Sequence, residues 1–405
     1  MSTTSVPSPG TAASGCAFGT VAAPGGVIDD GAVCWENGVV TFVGEASAAP
    51  ASGGPAVPLP AGALLLPGLV DLHCHGAAGV DFSTASAAEA RRAAAHLHRS
   101  GTTTFLASVV AGPPDRMAAA FRTLAPLAAE GLIAGLHAEG PFLSARRCGA
   151  QDPAFLIDPD PAVLEELLEA ADGTLATMTY APELPGADAL VRALAAADVV
   201  PSPGHTEADD ATAAASLAAA RRELAAAAPG ARPTVTHLFN GMAPLHHRAP
   251  GPAGACLRAA AAGEAVVELI ADGVHLDPAI VHTVFALAGA ENVALVSDSM
   301  AAAGLGDGSY LLGSSRVTVQ GGRAVLADGG SLAGGTSTVL DGVRTALDAG
   351  VGLCRAVAAA SSVPAAVLGL GDVVGALRPG LRADLVAVTA GLEPLAVVHG
   401  GRVQA

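Results

Sequence analysis

From residue 63 onward, short apolar runs alternate with longer stretches in which Ala, Leu and Arg recur at helical spacing. The apolar runs cover residues 64–72, 102–110, 132–137, 175–180, 199–205, 234–238, 266–271 and 293–297. The stretches between them predict helices over 85–99, 115–130, 161–171, 187–197, 207–228 and 278–288. Such alternation is the signature of βα units around a parallel sheet, and eight runs predict a (β/α)8 TIM-type barrel. Between the sixth and seventh runs the chain is first rich in Gly and Pro, so the helix expected there is poorly marked.

The flanking segments follow a different pattern. Residues 16–43 carry short β-like runs, and Gly- and Pro-rich sequence from 46 to 60 loops away. Residues 310–327 read as a β-hairpin turning at Gly321-Gly322, inserted after the eighth run. Helical sequence follows over 337–368, and strand-like runs return over 383–403. Because chain ends of compact proteins often lie close together, the two β-rich ends are expected to pair. The resulting division is a disordered tail over 1–15 and a small β-sandwich from 16–62 with 375–405. The barrel then spans 63–374, with the hairpin near 309–328.

Composition excludes several functions. With 405 residues and 51% hydrophobic content the chain can bury a large core. A formal net charge of −17 argues against a nucleic-acid surface or a polybasic membrane contact. All 20 positions counted as Lys+Arg are Arg. No lysine can therefore form a Schiff base, hold a Walker-type phosphate or become carbamylated between two metals. The 6 cysteines (16, 34, 74, 148, 256 and 354) form no C-x-x-C pair and no dense framework, which points to a reduced, cytosolic protein. No apolar stretch is long enough to span a membrane.

The chemistry begins at PGLVDLHCHG, residues 67–76. In a strand, side chains two apart face the same way, so His73 and His75 aim together beyond the strand's end while Cys74 faces away into packing. His96 and His98 share the spacing but lie in a helix, where i and i+2 diverge. In a parallel barrel working residues sit at the C-terminal strand ends. There the third run ends in Glu139, the fifth in His205, the sixth in His237 and the eighth in Asp298. Five N/O ligands and a further carboxylate thus share one mouth. Imidazole and carboxylate without thiolate favour Zn²⁺ or Fe²⁺, which acidify bound water and polarise an amide carbonyl. Asp298 is the natural general acid/base for such a hydrolysis.

The motifs PGLVDLHCHG, HAEGPF, GHTEAD, HLFNGM, ADGVH and LVSDSM, in this order, resemble the N-acetylglucosamine-6-phosphate deacetylases of the amidohydrolase superfamily. The resemblance covers most of the chain. It implies a cytosolic homodimer in which metal-bound hydroxide removes acetate from N-acetyl-D-glucosamine 6-phosphate. It makes Glu139, His205 and His237 the main metal ligands and Asp298 the catalytic acid/base. His73 and His75 would hold a second ion bridged by Glu139, giving one or two ions per subunit. The phosphate would be held by Asn240, the Gly241 backbone, Arg248 and His275, one of these from the partner subunit.

Two stretches depart from the family pattern. Gln151 stands where the family usually carries a His that contacts the substrate carbonyl, and a glutamine can donate a hydrogen bond there but cannot be cationic. SLAGGTSTV, 331–339, resembles the family's substrate-covering loop with an altered small/Met pattern. The alternatives are deacetylation of N-acetylgalactosamine 6-phosphate, a deaminase or cyclic amidase on the same barrel, and a non-catalytic sugar-phosphate sensor. The absence of lysine weighs against the cyclic amidases, whose bridging ligand is commonly a carbamylated Lys.

Overall fold

The computed structural model describes residues 14–50, 54–328 and 330–404; the tail expected over 1–15 lies, up to residue 13, outside the described residues. Eight parallel strands form the barrel: β1 Leu69–Cys74, β2 Thr102–Val110, β3 Gly135–Glu139, β4 Leu175–Tyr180, β5 Val200–Pro203, β6 Thr234–Val235, β7 Val266–Ile270 and β8 Val293–Val296. They are buried almost throughout, as strands covered on both faces must be. β1 to β5 form one sheet and β6 to β8 another. Two seams join them. Thr236 N donates to Pro203 O (3.1 Å) between β5 and β6, and Asp298 N donates to His73 O (2.9 Å) between β8 and β1.

All six predicted helices form, 161–171 and 278–288 with the expected bounds and the other four with shifted ends, and caps explain where several start. Ser86 and Glu89 make a capping box for Ala87–Arg99. Asp160 and Asp277 each accept a backbone N–H ahead of a Pro at the first helical position, opening Pro161–Ala171 and Pro278–Ala288. Between β6 and β7, where Gly and Pro mark the helix poorly, it spans Gly251–Ala261.

Four expectations need correction. The first apolar run is not one strand: Leu64–Pro67 belongs to the sheet of the chain ends, and only Leu69–Cys74 enters the barrel. The break falls at Gly68, where a Cβ would stand 2.1 Å from Thr103 Oγ1 and 2.7 Å from Asp384 Cβ, so the close approach admits no side chain. The run at 132–137 starts later and ends on Glu139 itself. The inserted hairpin is a three-stranded antiparallel sheet, Gly308–Leu312, Ser315–Gln320 and Arg323–Leu326. Finally, Cys16 and Cys34 are disulfide-bonded, with Cα atoms 4.1 Å apart, rather than free thiols. Antiparallel pairing sets them directly opposite each other, a register that sequence spacing does not reveal.

The two chain ends pair in one seven-stranded sheet. Leu64–Pro67 lies between Gly15–Ala23 and Leu385–Val388. Trp35, near one edge, donates its indole N–H to Gly401 O (2.9 Å) near the other, so the sheet folds over its own core as a small sandwich. At its junction with the barrel Arg382 bonds the buried Asp384 carboxylate and Thr104 Oγ1.

Candidate metal centre and substrate cavity

β1 delivers its ligands as the two-residue period requires. Asp71, His73 and His75 point into the barrel, and Cys74 packs outward, with its Sγ 3.2 Å from Ser299 Oγ. Asp71 stands behind the pair. It accepts from His73 N (3.2 Å), Ser297 N (3.2 Å) and Ser297 Oγ (2.5 Å), tying the ends of β1 and β8 together.

Glu139 is the hub. Its Oε1 lies 3.0 Å from both His205 Nε2 and His237 Nε2 and 3.6 Å from His73 Nε2, while Oε2 lies 3.2 Å from His75 Nε2. Asp298 Oδ1 is 3.4 Å from His73 Nε2 and 3.2 Å from His75 Nε2. His205, His237 and Asp298 all adopt positive φ, at 45°, 27° and 45°. Non-glycine residues pay of the order of 1–3 kcal/mol for such backbone, which is how strand ends turn side chains into a site. His205 is held further by Arg147 O, which accepts from Nδ1 at 2.8 Å and turns Nε2 towards Glu139. Its ring lies between two glycines of positive φ. A Cβ on Gly241 would be 2.8 Å from Nδ1, and one on Gly149 would be 3.0 Å from Cε1.

Electrostatics sharpen the picture. Burial alone would neutralise His73 and His75, but the Asp298 and Glu139 carboxylates hold both above the ordinary range, His75 at about 9. Burial would likewise raise the two acids. Instead the histidines, His73 foremost, hold Glu139 well below its usual range and Asp298 at about 2. His205 is raised through its hydrogen bond to Glu139 against burial, whereas burial wins at His237 and lowers it.

The donor set fits divalent cations. His73, His75 and Glu139 offer ligand atoms within 4.8 Å of one another, and so do Glu139, His205 and His237. The imidazole nitrogens face each other at 2.9 Å (His73 and His75) and 3.1 Å (His205 and His237). The Nδ1 atoms of His73, His75 and His237 are buried with no hydrogen-bond partner. The Nε2 atoms crowded towards common points, beside two carboxylates, suit a cation that would displace their protons.

A cavity of about 280 Å³ opens over this cluster, lined by His75, Glu139, His205, His237 and Asp298 together with Gln151, Asn240, Gly241 and His275. Leu312 of the inserted sheet and Ser331, Leu332 and Gly334 of SLAGGTSTV cover it. His275 donates Nδ1–H to Asp272 Oδ2 (2.8 Å); burial opposes its charge, but that carboxylate raises it overall. Asn240 bonds His237 O at 3.3 Å. Gln151 is engaged inward: it accepts from Ala111 N (2.9 Å) and donates to Glu139 Oε2, not to the open space. Arg248 lies outside this lining, exposed and bonded to His247 Nε2 at 2.7 Å.

Two functional-looking residues escape sequence reasoning. His137 sits below the centre with both ring nitrogens satisfied, by Ser108 Oγ (2.9 Å) and Thr179 Oγ1 (2.8 Å), its ring edge-on to His73. Glu268 on β7 is buried beside His73 and His237. An acid alone in the apolar run VVELI was the available signal, since a buried charge without a purpose is costly.

Residues 64–403 match the amidohydrolase family. The chain is 35% identical over 277 residues, 66% of each chain, to the N-acetylglucosamine-6-phosphate deacetylase of Bacillus subtilis. It is 35% identical over 334 residues to the N-acetylgalactosamine-6-phosphate deacetylase of Escherichia coli O157:H7, covering 82% of this chain and 85% of that one. Its fold superposes with a TM-score of 0.88 and 36% identity on a mutant N-acetyl-D-glucosamine-6-phosphate deacetylase from Mycobacterium smegmatis in complex with N-acetyl-D-glucosamine-6-phosphate, covering 97% of this chain and 100% of that one. The chain therefore belongs to the N-acetylglucosamine-6-phosphate deacetylase family of the amidohydrolase superfamily.

Proposed function

We propose that the protein hydrolyses N-acetyl-D-glucosamine 6-phosphate to D-glucosamine 6-phosphate and acetate. The observation that carries this reading is the convergence of four histidines and two carboxylates at the floor of one cavity, on a fold shared with an enzyme holding that sugar phosphate. Glu139, His205 and His237 would hold one divalent ion, Zn²⁺ or Fe²⁺, and His73, His75 and Glu139 would hold a second. When bound, the metal supplies Lewis acidity, which eases deprotonation of water and polarises the amide carbonyl.

The chain's own residues do the rest. Asp298, at the mouth and in contact with both β1 histidines, takes a proton from the attacking water. It then delivers that proton to the nitrogen as the C–N bond breaks, so that acetate and a free amine leave. His275, Asn240 and the Gly241 backbone receive the sugar phosphate. The rise of the His275 pKa gives an otherwise acidic chain positive charge where an anion binds. Arg248, too exposed to serve its own cavity, reaches the phosphate of a partner subunit in a homodimer. Gln151 steadies Glu139 and has at most an indirect hold on the carbonyl. The cytoplasmic setting rests on the family resemblance alone, since the Cys16–Cys34 disulfide removes the cysteine argument for it. Among the described residues no helix is long and apolar enough to cross a membrane.

The likeness to the Escherichia coli enzyme favours a second reading, the same chemistry on N-acetylgalactosamine 6-phosphate. Acetate release from each epimer by the metal-analysed protein separates the two. Faster turnover of the glucosamine epimer is expected; a metal-replete protein releasing acetate from neither would leave a sensor as the better account.

A further inference from the structure

Glu268 has no part in the chemistry above, yet it is 3% exposed in the barrel interior. One of its oxygens touches both halves of the metal centre. Oε2 accepts from His237 N at 3.3 Å and lies 3.5 Å from His73 Nδ1, the nitrogen that otherwise has no hydrogen-bond partner. The opposite nitrogen, Nε2, is the one that faces His75, Glu139 and Asp298. No arginine faces Glu268 to account for its burial; among the described residues its polar neighbours are these two ligands.

We propose that Glu268 is the positioning residue of the second ion site, accepting Nδ1–H of His73 and so holding the lone pair of Nε2 towards Glu139. The physical reason is tautomer selection. A neutral imidazole carries one N–H, and whichever nitrogen keeps it cannot be a ligand. His205 solves this with a backbone carbonyl, Arg147 O. His73 sits deeper, 0% exposed and edge-on to His137, where the acceptor within reach is the Glu268 carboxylate. A carboxylate behind a metal-bound imidazole also increases the basicity of the ligand nitrogen. The shared oxygen adds a coupling: a rotation of Glu268 that releases His73 also releases the backbone of His237. Glu268 thereby touches a ligand of each ion, His73 of one and His237 of the other.

This inference rests on reading His73, His75 and Glu139 as an ion site, and its test does not depend on acetate release. Full-length protein loaded with Zn²⁺ is titrated with a chelator, and zinc per chain is followed by mass spectrometry. The wild type is expected to release two ions in separable steps. Glu268→Gln, which keeps the shape but is a weaker acceptor, is expected to weaken one ion about tenfold. The other ion should stay within threefold. Glu268→Leu should weaken the same ion up to ~100-fold, and neither variant should add to the effect of His73→Ala. A single ion in the wild type overturns the inference even if the enzyme is active, as does wild-type affinity for both ions in Glu268→Gln. Equal weakening of the two ions in Glu268→Gln also overturns it, because that marks a general support and not a device for His73.

Discussion

Gly241→Ala tests how far the centre depends on the space around His205. At φ +61° an alanine pays the left-handed backbone cost of about 1–2 kcal/mol. Its Cβ would stand 2.8 Å from His205 Nδ1, inside the distance real Cβ atoms tolerate, so the ring must move. It cannot retreat freely, because Gly149 closes the opposite side at 3.0 Å from Cε1. The displaced ring gives up the Nδ1–H···O bond to Arg147, a further ~0.5–1.5 kcal/mol. Together these come to about 1.5–3.5 kcal/mol, and the part borne by the loaded state weakens the ion at Glu139, His205 and His237 by ~10- to 100-fold. Zinc affinity measured by chelator competition, with thermal denaturation of the same samples, reads both parts. Affinity within threefold of wild type and an unchanged Tm would show that the loop of residues 145–151 yields easily and that the glycine pair is not a constraint.

Other substitutions probe separate links. Asp298→Asn should lower kcat by about 10²–10⁴-fold while leaving the zinc content of the purified protein near wild type; retained turnover removes Asp298 from proton transfer. Arg248→Ala should weaken phosphorylated substrate by about 2 kcal/mol, the low end for a lost charge partner, read as a raised KM with kcat little changed. Arg382→Met strands the buried Asp384 carboxylate and should cost about 3 kcal/mol at pH 7 in urea denaturation. The pH dependence has a definite sign. Burial would raise the Asp384 pKa, but Arg382 and then His399 lower it overall. A lowered carboxyl contributes stability above its unfolded pKa of about 3.9 and loses it as pH falls through the folded value. The gap between wild type and Arg382→Met should therefore narrow below about pH 4, and a gap independent of pH would argue for lost packing instead.

The barrel and most of its centre were legible because both follow from local rules. Buried parallel strands read as apolar runs, and polar residues ending such runs can only gather at the barrel mouth, which is why the candidates His73, Glu139, His205, His237 and Asp298 lie together there. What escaped depends on neighbours distant in sequence. Gly68 breaks an apolar run because Thr103 and Asp384 crowd it, and nothing within 64–72 records that. The third strand of the insertion, the pairing of Cys16 with Cys34 and the inward turn of Gln151 are all matters of register or of partners elsewhere in the fold. Arg248 shows the converse: a motif can name a residue that the fold leaves exposed and outside the cavity lining.

The position of Leu64–Pro67 has a consequence for the order of events during synthesis. This strand runs through one residue, Gly68, into the strand bearing His73, yet one of its two neighbours is Leu385–Val388. At about 5–20 residues per second, the ribosome makes that neighbour tens of seconds later. Until then Leu64–Pro67 presents an open apolar edge, the kind that recruits foreign strands. Lesions in the strands of 383–403, far from any ligand, should therefore appear first as lost yield of folded protein in the cell, with the molecules that do mature carrying an ordinary centre.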